Sequence, residues 1–151
     1  MSVELKFPNK QVEVLLVEDN PADVRMMKEI MLNSRFPVYL SVAVDGVRAL
    51  EMLSAADEFG GKEKPDMIIL DLNMPRLTGH EMLAVLRQDP RFKETPVLIM
   101  SSSQAQEDLQ LAYENAANFY MVKPLGIEQF SGIMRFIEDY FFEKMDFDGK
   151  S

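Results

Sequence analysis

Apolar and polar positions fall in alternating blocks along this chain, and the blocks carry two different periods. Short, nearly continuous apolar runs recur at Val12–Val17, Tyr39–Val44, Met67–Leu70, Pro96–Met100 and Phe119–Val122. Runs of that length, rich in aliphatic and aromatic residues, predict strands buried on both faces. Between them the apolar positions return at helical spacing. Val24, Met27, Ile30 and Met31 predict a helix from Pro21, whose fixed φ suits a first turn, to about Asn33. Asp45 can cap a second helix running to about Phe59. A third spans roughly Gly79–Gln88, Ser103 and Gln106 fit a capping box for a fourth ending near Ala116, and a fifth runs from about Ile127 to Glu143. The stretch Gly60-Gly61-Lys62-Glu63-Lys64-Pro65 reads as a loop, and the chain after Lys144 is polar enough to fray. Five strands alternating with five helices predict an α/β domain, a parallel sheet covered on both faces. It is expected over residues 11–144, after an N-terminal extension (1–10) and before a C-terminal tail (145–151).

Composition narrows this picture. A chain of 151 residues with 47% hydrophobic content is large enough for one real core. There is no cysteine, which removes disulfides and thiolate metal sites. No apolar run approaches the roughly 20 residues of a membrane span. The start, MSVELKFPNKQ, lacks a signal-peptide pattern, so a cytoplasmic protein is expected. A formal charge of −9 argues against direct nucleic-acid binding, which needs a basic footprint.

The chemistry concentrates at strand ends. In DMIILDLNMP (66–75) a buried strand stops at Asp71. The first strand stops at Glu18-Asp19, the fourth at Ser101-Ser102-Ser103 and the fifth at Lys123-Pro124. In open α/β sheets, ligands sit beyond the carboxyl ends of the strands at a topological switch point. If the first and third strands are neighbours, three carboxylates converge there, and like charges so close oppose each other's ionisation. A hard divalent cation removes that cost, and Mg2+ takes oxygen ligands while keeping several waters. Carboxylates, a metal, a hydroxyl and an ammonium are the parts of a phosphoryl-transfer site. Taken singly, each residue has a plainer account. A lone Asp after an apolar run is most often a solvated strand end, Glu18-Asp19 a helix N-terminal charge pair, Lys123 a surface lysine and Ser103 a cap. His80, the single histidine, is expected to face solvent in the first turn of the third helix.

Taken together, LLVEDN (15–20), IILDLNMP (68–75), Gly79 eight residues after Asp71, PVLIMS (96–101) and FYMVKP (119–124) resemble the response-regulator receiver domains of two-component signalling over essentially the whole chain. The resemblance implies a flavodoxin-like, doubly wound (βα)5 fold with strand order 2-1-3-4-5. It implies that Asp71 is the phosphoacceptor, with a sensor histidine kinase or a histidine phosphotransfer protein as donor. It places Glu18, Asp19, Asp71 and the backbone carbonyl of Asn73 around Mg2+. Ser101 matches the switch hydroxyl, Lys123 the phosphate-binding lysine and Tyr120 the switch aromatic, and the Lys123–Pro124 bond is expected to be cis. Ala116-Ala117-Asn118 before the fifth strand, in place of Gly-Ala, departs from the common pattern. DLNMPRLTGHEML and the aromatic last helix are most similar to single-domain regulators paired with bacterial phytochromes, which makes a bacteriophytochrome a candidate kinase.

Two other functions are open on the residues. One is a Mg2+-dependent phosphatase working through its own aspartyl phosphate, although Asn73 stands where its acid/base Asp would be. The other is a phosphate-independent interaction module of the same fold, which intact Asp19, Asp71, Ser101 and Lys123 disfavour. No output domain is expected, so the signal leaves by protein contact. On the last helix Ile127, Phe130, Met134, Ile137 and Phe141 form a stripe suited to the sheet, and Ile133, Phe136 and Tyr140 a second beside it. That apolar arc is wider than the roughly 100° a surface helix needs, which predicts a homodimer through helix four, strand five and helix five.

Overall fold

The computed structural model describes residues 12–34, 37–55 and 64–123, together with the helical residues Glu128, Gly132, Arg135, Glu138 and Asp139. The elements follow in strict alternation: β1 (Val12–Val17), α1 (Pro21–Leu32), β2 (Val38–Ala43), α2 (Gly46–Ser54), β3 (Met67–Asp71), α3 (Gly79–Gln88), β4 (Val97–Ser101), α4 (Gln106–Glu114) and β5 (Phe119–Val122). The five strands form one parallel sheet of order β2-β1-β3-β4-β5. This is the expected doubly wound, flavodoxin-like arrangement, and the reversal of winding between β1 and β3 creates the switch point.

Alternation along the strands divides the core in two. Leu15, Val17, Ile68, Leu70, Val97 and Ile99 pack on one face against Met52 and Leu53 of α2, Met82, Leu83 and Leu86 of α3 and Ala112 of α4. Val14, Leu16, Met67, Ile69, Leu98 and Met100 pack on the other against Met27, Ile30 and Met31 of α1. Every residue of β1, β3 and β4 is buried. Burying each large side chain is worth roughly 1.5–3 kcal/mol, so the three central strands form the rigid part of the molecule.

Several boundaries differ from the sequence pattern. β4 begins at Val97 because Pro96 has no N–H for the ladder, although its carbonyl accepts from Ile68 N at 3.0 Å. α2 ends at Ser54, not near Phe59, with Ala55 extended. α4 begins at Gln106 with Ala105 at its N-cap and no side-chain cap, so the Ser103–Gln106 capping box is not formed. Ser103 Oγ instead accepts from Ala105 N at 3.1 Å, before the helix begins, and donates to the Asp108 carboxylate at 2.5 Å. The formed capping box belongs to α3, between Thr78 and Glu81. Ile133, Phe136 and Tyr140, the bond to Pro124, and residues 60–63 of the long loop lie outside the described residues.

Candidate functional site

β1, β3 and β5 each deliver one end of the site. Glu18 follows β1 and is fixed by its own N–H, which donates to Ala43 O of β2 at 2.9 Å. Asp71 is the last residue of β3 and lies within the ladder, paired in register with Met100. It is only 4% exposed. Lys123 follows β5, held by its N–H on Ser101 O. Gly79 lets α3 start against the tip of β3. A Cβ there would lie 2.5 Å from Leu72 Cα and 2.6 Å from Asp71 O, so any side chain would push the strand end away.

Glu18, Asp19, Asn20, Asp23, Asp71, Asn73, Ser102 and Lys123 line one open cavity. Glu18, Asp19 and Asp71 each place a carboxylate oxygen within 4.8 Å of the others. All three are hard oxygen donors, a set that suits a hard divalent cation of the Mg2+ class and offers nothing to a soft metal. Lys123 Nζ reaches into the cluster, at 2.7 Å from Glu18 Oε1, 2.9 Å from Asp23 Oδ2 and 3.4 Å from Asp71 Oδ2. Burial, reinforced by the charge on Asp71, pushes the Glu18 carboxyl up to about 7 against the pull of Lys123. Burial alone would lower the Lys123 ammonium, but its bonds to Glu18 and Asp23 hold it above the ordinary lysine range.

Around the carboxylates lie the small polar groups. Asn73 N donates to Asp71 Oδ1 at 3.0 Å, which turns the chain sharply after β3. The Asn73 amide reaches Ser101 Oγ at 3.4 Å and Ser102 Oγ at 3.3 Å. Ser101 is fully buried, and its Oγ accepts from Ser103 N at 3.0 Å. Tyr120 is half-buried against the core, and its hydroxyl donates to Ser103 O at 3.2 Å. The structure thus gathers Glu18, Asp19, Asp71, Asn73 and Lys123 into the cavity, sets Ser101 behind it, and links Tyr120 to it through Ser103.

Three features escaped the sequence pattern. Asp23 reads as an ordinary first-turn acid of a helix, yet its carboxylate crosses to Lys123. Ser102 lines the cavity in the place of the more buried Ser101. His80 is not turned to solvent. Its Nε2 lies 3.1 Å from Asp108 Oδ1 of α4, and Nδ1 is buried with no partner among the described residues. Ser103 and His80 together hold the Asp108 carboxyl below the usual range. The only hint was the lone histidine's place at the start of α3, where α4 packs beside it.

No helix of the described residues is long and apolar enough to cross a membrane. Residues 14–135 match the model of the response regulator receiver domain. The chain is 32% identical over 130 residues to the response regulator Rcp1 of Synechocystis, covering 86% of this chain and 88% of that one. Its fold superimposes on the phosphorylated cyanobacterial phytochrome response regulator RcpA with a TM-score of 0.74 at 35% identity, over 85% of this chain and 93% of that one. The Mn(2+)-bound form of Rcp1 gives the same TM-score, 0.74, at 32% identity, over 86% and 94% of the two chains. Sheet order, the acidic crevice at the switch point and these matches agree, and the chain belongs to the response regulator receiver domain family of two-component signalling.

Proposed function

We propose that this response regulator accepts a phosphoryl group on Asp71 from a phosphohistidine, on a sensor histidine kinase or a histidine phosphotransfer protein, and passes the signal on by protein contact. The observation that carries the reading is the setting of Asp71. It is a nearly buried carboxylate at a strand tip, with Glu18 and Asp19 at one side and an ammonium reaching toward it. A lysine paired for stability alone needs one carboxylate, and this one meets three.

Asp71 Oδ is the nucleophile on phosphorus. As its O–P bond forms, the P–N bond to the donor imidazole breaks and the imidazole keeps the electron pair. Glu18, Asp19, Asp71 and the backbone carbonyl of Asn73 would hold Mg2+, which when bound neutralises the negative charge gathering at the transferred group. Lys123 supplies a movable cation and Ser101 a buried hydroxyl for the phosphoryl oxygens. Ser101 Oγ already accepts from Ser103 N, so its own proton is free to be donated. Movement of Ser101 would carry Ser103 with it, and Tyr120 is bonded to Ser103 O. The phosphoryl group shifts that equilibrium only by contacts that differ between the two states.

The relatives support a phytochrome-type kinase as donor, since RcpA is a phytochrome response regulator solved in its phosphorylated form. Output through α4, β5 and the last helix, as a homodimer, is supported by Leu111 and Tyr113, which are exposed on α4 at 41% and 50%. The apolar stripe Ile133, Phe136 and Tyr140 in the sequence supports it too. Sedimentation should show a dimer at tens of micromolar, the weak end of specific association, and Phe136→Glu should leave a monomer. A wild-type monomer would sink the dimer.

Incubation with acetyl phosphate and Mg2+, read by intact mass, tests the central reading. One phosphoryl adduct, absent in Asp71→Asn, is expected. Multiple turnover of an outside phosphoester would favour a phosphatase, and no adduct would favour a phosphate-independent module.

A further inference from the structure

The Lys123 ammonium has three protons and three carboxylate neighbours, and the three are not equivalent. On the reading above Asp71 is the phosphoacceptor and Glu18 belongs to the cation-binding set. Asp23 belongs to neither. It stands in the first turn of α1, its carboxylate 2.9 Å from Lys123 Nζ, while Asp71 is 3.4 Å away. The ammonium is therefore shared between α1 and the nucleophile and lies closer to α1.

A first-turn acid is ordinarily accounted for by the positive end of its own helix. Here that end is served by another group. Asn20 Oδ1 accepts from Ala22 N at 2.8 Å and from Asp23 N at 3.3 Å, leaving the Asp23 side chain free to cross the cavity. Asp23 also lines the cavity, with a side chain 24% exposed. Any phosphodonor that enters is an anion. It meets the charge on Asp23, and it engages Lys123 only if the ammonium lets go of at least one carboxylate.

We propose, resting on the phosphoacceptor reading of Asp71, that Asp23 is a positioning residue that holds Lys123 back from closer engagement at Asp71 in the unphosphorylated state and so restrains phosphorylation by small anionic donors. Glu18 and Asp71 would hold the cation when it is bound, which would leave Asp23 as the partner that keeps Lys123 occupied. Removing its charge frees the ammonium to turn toward Asp71 and lowers the negative potential at the cavity mouth.

The test uses acetyl phosphate as probe, with Mg2+ saturating for each protein, and follows the adduct by intact mass across donor concentrations. Asp23→Asn is expected to raise the second-order rate roughly three- to tenfold, the scale of one unit charge several ångströms away at a protein surface. The gain should fall as salt is added. It should lie in the donor concentration needed for half-maximal rate, with the maximal rate little changed. Asp23→Glu, which keeps the carboxylate, should behave as wild type. Asp23→Ser is run beside Asp23→Asn so that a folding defect of one side chain does not decide the result, and urea midpoints of both are recorded. No gain in either neutral variant, or a gain insensitive to salt, overturns the inference while a wild-type adduct on Asp71 leaves the main reading standing. No adduct in the wild type overturns both.

Discussion

Each end of the sheet holds one partly buried cation, and the two cations are treated in opposite ways. At the amino ends of β4 and β5, Arg87 donates to neutral oxygens: Phe92 O and Thr95 O at 2.8 Å each, Ala116 O at 2.9 Å, Lys93 O at 3.3 Å and Asn118 Oδ1 at 3.2 Å. Asn118 Oδ1 also accepts from Val97 N at 2.8 Å. Burial lowers the Arg87 pKa from its ordinary value, yet a guanidinium starts so high that it stays charged. At the carboxyl ends, Lys123 sits among carboxylates. Glu18, Asp19, Asp23 and Asp71 against Lys123 leave three unbalanced negative charges when all are ionised. At one end the planar fork has its hydrogen bonds met and closes two loops together, the α3–β4 and α4–β5 connections. At the other the point charge is divided among three carboxylates and the surroundings are short of positive charge. The first arrangement is settled and serves the fold. The second is left unsettled in a way that the cation and phosphoryl group of the proposed function would resolve, which is the usual relation between stability and function at such sites.

The largest expected effect breaks the settled end. Arg87→Met should destabilise the protein by about 2 kcal/mol, because the part-buried carbonyls of Phe92 and Thr95 lose their donor at roughly 1 kcal/mol each. Equilibrium urea unfolding measures it as a lower midpoint at unchanged slope. The acetyl phosphate reaction of the folded protein should be unaltered. A loss of phosphorylation in native Arg87→Met would show that the two ends are coupled and would remove the distinction drawn between them.

The two ends also differ in how far they could be read from the sequence. The carboxyl end was legible because its groups sit at fixed offsets from apolar runs. A run that must be buried announces where its strand stops, so Glu18, Asp19, Asp71, Ser101 and Lys123 could be placed at strand ends before any contact was known. Gly79 was legible by its spacing from Asp71, and its reason, the lack of room for a Cβ against Leu72 and Asp71, is visible only in three dimensions. The Arg87 web was not legible. Its acceptors are mostly backbone oxygens, which every residue carries, and the arginine alone looks like a charge favouring a helix C-terminus. Asp23 was missed for a related reason. β1 and β5 are not adjacent in the sheet, so no local pattern says that a side chain after one reaches a side chain after the other. Ser103 misled because a serine three residues before a glutamine is a good capping box in isolation, whereas the helix starts at Gln106 with Ala105 as its N-cap, and Ser103 Oγ accepts from Ala105 N instead.

The smaller effect sharpens the unsettled end and differs in sign between two conditions. On the proposed function Mg2+ would bind the folded protein and not the unfolded chain, so at ten times its dissociation constant it should add about 1.4 kcal/mol to stability. Asp19 is the exposed member of the acidic cluster, so its loss disturbs the packing least. Asp19→Asn removes one like charge from beside Glu18 and Asp71. In chelator the variant should therefore unfold at a higher urea concentration than wild type. With Mg2+ added the order should reverse or close, because the variant would have lost one of the proposed ligands and would gain little from the cation. The same substitution at the settled end, a charge removed where all bonds are satisfied, lowers stability under both conditions. Urea titrations of wild type, Asp19→Asn and Arg87→Met, each with chelator and with Mg2+, separate the cases. If Asp19→Asn is the weaker protein in chelator, the acidic cluster is not strained without its cation, and the contrast between the two ends of the sheet fails at that residue.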